Sequence, residues 1–241
     1  MAKIKMRSGL KSRKVVNEAQ WLKARTAFLK KEKKFTKARD QINRERRALP
    51  WLKVAKDYVF EGPDGKVSFE ELFAGKSQLI VYHFMFGPGW KAGCPHCSFW
   101  TDSYNGNEIH LAQKDTAFVL VSRATLNEIA SFKARMGWSI PWYSSNSSEF
   151  NYDFRASFTD EDVKKGKAYF NFEMTAPGVT EREGASTFYR DEKGDIYLTY
   201  QTFARGIDLL NTAYNLLDLT ARGRDEDPED PQDWVKFHDK Y

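Results

Sequence analysis

Two short apolar runs stand out along the chain: residues 79–82, Leu-Ile-Val-Tyr, and residues 116–122, Thr-Ala-Phe-Val-Leu-Val-Ser. Each is bounded by turn or charged residues, and each has the length and β-branched or aromatic content of a buried strand. Residues 56–60 and 66–69 flank Gly62-Pro63-Asp64-Gly65, which reads as a hairpin, and residues 70–73 as a short helical turn. Residues 126–136 are amphipathic with helical spacing and are stopped by Gly137; residues 140–143 start a short extended piece. Residues 186–190 and 195–200 enclose Asp191-Glu192-Lys193-Gly194 and predict a second hairpin. The apolar stretch 207–219 predicts a helix after it.

The N-terminal fifth has a different pattern. Asn17 with Gln20 three residues later has the form of a capping box, so a helix is expected from there to about Arg47, ending before Pro50. Trp21, Phe28, Phe35 and Ile42 recur every seven residues, with Leu22 and Leu29 beside them, and make one apolar stripe. The d-type positions Ala24, Lys31, Ala38 and Glu45 are half polar, which argues against a coiled coil. The stripe is expected to be buried, on the body of the chain or on a second copy joined through this helix. Residues 146–183 lack long apolar runs and read as an insertion; the acidic, Pro-rich residues 221–241 read as an extended tail.

Charge sharpens this division. The net charge is +5, but residues 1–56 carry +15 and the rest −10. A basic segment beside an acidic body can pack on it or meet an anionic partner; a solvated face is the ordinary reading, and nucleic acid is not expected. No run approaches the roughly 18 apolar residues of a membrane span, and the basic start lacks an apolar signal core. A cytoplasmic location, away from membranes, is the expectation.

The chemistry lies between the two buried strands. After residues 79–82 a Gly-Pro-Gly loop leads to Cys94-Pro95-His96-Cys97, and then to aromatics on a helix face. These are the two cysteines of the chain, so a disulfide framework is not the reading. Strand, loop, then Cys-X-X-Cys opening a helix reads as a thioredoxin-like redox site. Cysteines spaced this way can close a small disulfide ring. The first sits where helix N–H groups are unpaired and the macrodipole is positive, which favours the thiolate, the attacking species in disulfide exchange. Pro95 suits the first helical turn, and a cationic His96 would add to thiolate stabilisation. Cys94 is therefore the expected nucleophile and Cys97 the resolving thiol. A zinc site would need His83 and His110 to join the cysteines. Haem attachment needs His where Ser98 stands. Two inert core thiols are the plain alternative.

The whole chain resembles a bacterial family of thioredoxin-like proteins catalogued as domain of unknown function 899, over about residues 14–226. The strings EKKFTKARDQINRERRALPW, QLIVYHFMFGPGW, GCPHCSFW and FARGIDLLNTAYNLLDLTARGRDE carry the resemblance. It implies an α/β, thioredoxin-like fold with an N-terminal helical extension, a middle insertion and a C-terminal tail: residues 1–50, 51–220 with the insertion at 146–183, and 221–241. It also implies a dithiol–disulfide oxidoreductase. Against thioredoxins, Gly93 stands where tryptophan precedes the first cysteine, with Trp90 further back, and Ser186 aligns with the cis-proline that faces the cysteines. A serine rarely holds a cis bond. Against peroxiredoxins, Gly87 and Lys91 stand where proline and threonine or serine precede the peroxidatic cysteine. The motif itself is similar to that of bacterial periplasmic thiol oxidases.

The resulting expectation is a thiol–disulfide oxidoreductase that uses Cys94 and Cys97, with no cofactor. Its partners would be a protein or small-molecule disulfide or thiol, an unidentified reductant, and a second copy of the chain. The alternatives are a non-catalytic interaction module on the same scaffold and a thiol-dependent peroxidase. Thioredoxins place a proton-handling acid on the central strand behind the cysteines. Here Tyr82 or His83 falls at that position, and His83, which titrates near neutrality, is the candidate. Strand alternation allows only one of the two to face the cysteines. The insertion is expected to lie near the cysteines and limit access to them.

Overall fold

The computed structural model describes residues 13–241, in two compact units. In the smaller unit, helix α1 (Glu18–Arg47) begins where expected: the Asn17 side chain accepts a hydrogen bond from the Gln20 N–H at 3.0 Å. Arg44, Arg46 and Arg47 sit in its last turn, where cations complement the helix dipole. No residue of α1 is buried. Trp21, Phe28, Phe35 and Ile42 are between 54% and 63% exposed, so the helix leaves its apolar stripe uncovered within its own unit.

The larger unit is built on an eight-stranded sheet in the order β1-β10-β9-β4-β5-β6-β2-β3. Its strands are β1 (Leu52–Lys53), β2 (Val59–Gly62), β3 (Gly65–Ser68), β4 (Gln78–His83), β5 (Thr116–Ser122), β6 (Trp142–Ser144), β9 (Gly184–Arg190) and β10 (Ile196–Phe203). At the centre, β4 runs parallel to β5 and antiparallel to β9, which pairs antiparallel with β10. Helix α2 (Pro95–Tyr104) and the short α3 (Glu108–Ala112) lie between β4 and β5, and α4 (Leu126–Arg135) follows β5. This order and pairing is the thioredoxin arrangement. It is widened by β6, β2 and β3 on one side and by β1 on the other.

Alternation along β4 gives its faces different partners. Leu79 and Val81 join Val119, Val121 and Phe188 in a buried cluster with Tyr58, Phe60, Phe69, Phe150 and Phe154. Full burial of each such side chain contributes about 1.5–3 kcal/mol. On the opposite face Tyr82 meets Tyr104 of α2 edge-on at 5.1 Å, and Tyr104 meets Phe118 at 5.2 Å.

Three segments depart from expectation. Residues 146–183 are not irregular throughout: they form α5 (Phe150–Asp153), α6 (Asp160–Lys165) and a hairpin of β7 (Ala168–Phe170) and β8 (Glu173–Thr175). The expected helix 207–219 is broken into a 3-10 turn, Ala204–Leu210, and α7 (Thr212–Leu217). The break is at Asn211, which is extended and fully buried; its side-chain oxygen accepts from the Tyr214 N–H and so starts the second helix. Residues 226–241 are not an extended tail. Trp234 packs on Phe99 of α2 at 5.3 Å, His238 bonds Asp102 at 2.8 Å, and Arg135 pairs with Asp239 at 2.9 Å.

Candidate functional site

The two cysteines lie at the junction of loop and helix that the spacing predicts. Cys94 is the N-cap of α2, with extended backbone (φ −61°, ψ 129°), and Pro95 occupies the first helical turn. The Cys94 N–H donates to the Met85 carbonyl at 3.0 Å, tying the loop to the end of β4, and the Cys94 carbonyl accepts from the Ser98 N–H. Gly93 is required by its surroundings. A Cβ there would come within 2.5 Å of the Phe84 ring and 2.9 Å of Phe132. Aromatic rings thus fill the space that a side chain before the first cysteine would need.

Both thiols are free and the two cysteines stand 4.1 Å apart. Cys94 is partly exposed and Cys97 is buried. Their acidities diverge. The thiol of Cys97 donating toward its sulfur, assisted by His96, holds Cys94 down to about 5 against the opposing effect of burial. Burial, together with the neighbouring Cys94 charge, pushes Cys97 well above the usual thiol range. The Met85 N–H donates to the Cys97 sulfur at 3.5 Å. His96 is pushed up by its hydrogen bond to Cys94, so the imidazolium and the thiolate support one another.

Tyr82, not His83, is on the cysteine face of β4. Tyr82 lines the pocket with both cysteines, and its ionisation is raised well above normal by burial and then by Cys97. His83 faces the other layer, fully buried, stacked against Phe150 with ring centres 5.8 Å apart. Its Nε2 bonds Ser186 Oγ at 2.7 Å, and Gln201 also donates to that hydroxyl, at 3.0 Å. Burial lowers the His83 pKa to about 3, so the ring is neutral. Strand alternation explains why the residue chosen as proton handler lies away from Cys97. The same geometry keeps His83 from joining the cysteines around a metal, and His110 lies exposed on α3. Among the described residues no cluster of three or more His, Cys, Asp or Glu is placed to hold one.

Ser186 is likewise not at the cysteines: it lies inside β9, paired with Val81 and Gln201. The stretch leading into β9 presents Arg182 and Glu183 to the pocket instead, with no cis peptide bond among the described residues. Glu181 anchors that stretch. Its buried carboxylate accepts from Arg123 at 2.9 Å and from Ser157 at 2.6 Å, and burial pushes its pKa up to about 7. Burial also raises Glu183, with the Cys94 charge adding to it. The insertion therefore reaches the pocket only through its last residues, and Phe150 and Phe154 join the core on the other face. The remaining walls come from the 204–208 turn and from Pro231 and Gln232 of the C-terminal segment. Sequence reasoning passes over Arg182 and Glu183. The available signal was a charged triplet, Glu181-Arg182-Glu183, directly before an apolar strand, and an ordinary loop end carries the same signal.

The family model described as "Bacterial protein of unknown function (DUF899)" matches residues 10–241. A search of the curated proteins returns no match. Among solved structures the chain is similar to a peroxiredoxin Q from Xanthomonas campestris, with a TM-score of 0.46 and 10% identity over 66% of this chain and 89% of that one. Peroxidoxin BcpB from Mycobacterium tuberculosis aligns with a TM-score of 0.42 and 12% identity, over 69% and 98%. A protein from Chlorobium tepidum described as a thiol:disulfide interchange protein DsbE aligns with a TM-score of 0.38 and 13% identity, over 64% and 86%. No described helix is long and apolar enough to cross a membrane.

Proposed function

The chain belongs to this bacterial family of unknown function, and we propose that it catalyses thiol–disulfide exchange through Cys94 and Cys97. One observation carries the reading: a partly exposed thiol at a helix N-terminus with its acidity strengthened, 4.1 Å from a buried thiol with its acidity weakened. The reaction needs that asymmetry. The Cys94 thiolate attacks a disulfide RS–SR, forming Cys94–S–SR and releasing one thiolate. Cys97 then loses its proton, attacks the Cys94 sulfur and releases the second thiolate. The protein dithiol is oxidised by two electrons, and the disulfide is reduced to two thiols; the reverse sequence oxidises a dithiol.

Each neighbour has a part in this scheme. His96 as imidazolium stabilises the Cys94 thiolate. Glu183, its pKa raised by burial, lines the same pocket and is the carboxylate we assign to take the Cys97 proton. Tyr82 closes the pocket floor beside Cys97. His83 has no part, because it faces the opposite layer.

The test is exchange with a small neutral disulfide, followed by mass spectrometry. Cys94→Ser should abolish reaction. Cys97→Ser should react once and accumulate a mixed disulfide on Cys94. Unchanged exchange by Cys94→Ser would reject the proposal.

A further inference from the structure

The pocket around Cys94 has a shape and a charge that bear on what it exchanges with. It holds about 320 Å³, at the small end of the roughly 300–1,000 Å³ of small-molecule sites. Its walls come from separate parts of the chain: the end of β4, the start of α2, Arg182 and Glu183, the 204–208 turn, and Pro231 with Gln232. The last of these walls is held in place. Trp234 Nε1 donates to Glu226 at 2.9 Å while its ring packs on Phe99, and Val235 is buried. Beyond it, the His238–Asp102 and Arg135–Asp239 contacts fasten the segment to α2 and α4. Cys94 therefore opens into a walled cup of small-molecule size, bordered by the C-terminal segment.

Among the residues lining that cup is one cation, Arg182, held by its neighbours. Arg182 Nε donates to the Pro177 carbonyl at 2.7 Å, and the Phe170 ring lies 5.5 Å from the guanidinium carbon. These contacts fix the plane of the group. Its charge acts on the neighbouring Glu183 without forming an ion-pair contact, so its terminal nitrogens keep donors to offer. Arg205, by contrast, is about 90% exposed and already paired with Asp208. A planar, immobilised guanidinium with free donors matches a carboxylate.

We propose that the partner of the Cys94–Cys97 pair is a low-molecular-weight disulfide bearing a carboxylate, which Arg182 binds while Cys94 attacks the sulfur. The inference rests on the exchange reading above and follows its two steps. The carboxylate remains intact, two thiols leave, and the two electrons come from the protein dithiol.

The experiment is single-turnover oxidation of the reduced full chain by four probes: dithiodiglycolate (anionic), bis(hydroxyethyl) disulfide (neutral), cystamine (cationic) and insulin (a protein disulfide). Each rate is divided by the rate of the same probe with dithiothreitol, which removes intrinsic reactivity. The normalised rate should be highest for dithiodiglycolate, about tenfold above the neutral probe, as a charge-assisted contact allows. Insulin should be slowest. Arg182→Gln should bring the anionic and neutral rates together, and Arg182→Lys should keep part of the preference, separating lost charge from a damaged fold. Equal normalised rates for the two small probes in the unaltered protein, or insulin faster than either, would overturn the inference and leave the exchange reading standing. No reaction with any probe would reject the exchange reading itself.

Discussion

Tyr82 and His83 are neighbours on one strand, yet they belong to two different chemical environments. The Tyr82 face carries α2, both cysteines, Glu183 and an open pocket. The His83 face is an aromatic core in which Phe150, Phe154, Phe69 and Phe188 contact one another at 4.6–6.2 Å. Burial acts on both faces, with different results. On the cysteine face, charged and hydrogen-bonding partners split two thiols into a thiolate and a thiol. On the core face His83 meets an aromatic ring and a hydroxyl, and desolvation alone keeps it neutral. Ionisable groups become reactive where partners offset desolvation, and silent where none do.

The largest test of this division is Phe150→Ala. It should cost about 3–5 kcal/mol, because it opens a cavity in a fully buried cluster. Urea unfolding would read the loss, and the pH at which Cys94 becomes reactive should not move. A shift in that titration would mean that the two faces are coupled.

A smaller effect concerns pH. His83 is depressed in the fold, to about 3 against about 6.5 when unfolded. The unfolded chain then binds the extra proton, so this group's stabilisation is complete above about pH 6.5 and is lost as pH falls toward 3. Glu181 is raised in the fold, to about 7 against about 4.3 unfolded. The folded chain binds the extra proton, so stability falls as pH rises through that window. The two windows overlap between about pH 4.3 and 6.5, where the opposite slopes cancel, so these groups leave a plateau there with stability falling on either side. Glu181→Gln should remove the fall on the alkaline side, so that between pH 5 and 8 the variant gains stability relative to the unaltered protein by on the order of 1–3 kcal/mol in thermal melts. An unchanged alkaline limb would refute the role given to Glu181.

The difference between the faces also explains what the sequence disclosed. The central elements were legible because each is local: the run 116–122 is β5, the amphipathic stretch 126–136 holds α4, and Cys94-Pro95 opens α2. The cysteine pair was legible for the same reason, since its spacing and the preceding strand lie within one stretch. The pocket walls were not. Arg182, Glu183, Pro231 and Gln232 reach Cys94 only through long-range contacts such as Arg123–Glu181 and Trp234–Phe99. Alternation predicted that Tyr82 and His83 point apart, but choosing between them needed to know on which face α2 packs. The apolar stripe of α1 shows the converse case. Its period was clear in the sequence, and the helix formed with its cap, yet nothing within its own unit covers the side chains.

The central claim is that Cys94 is a stabilised thiolate. Its most direct test is the rate of iodoacetamide alkylation of Cys94 in the reduced, unaltered protein from pH 4 to pH 10, with the alkylated cysteine located by mass spectrometry. The account predicts a midpoint within the roughly 3.5–7.5 range of activated thiols, rising in His96→Phe as the imidazolium is lost. A midpoint near 8.5, the unperturbed thiol value, would contradict it.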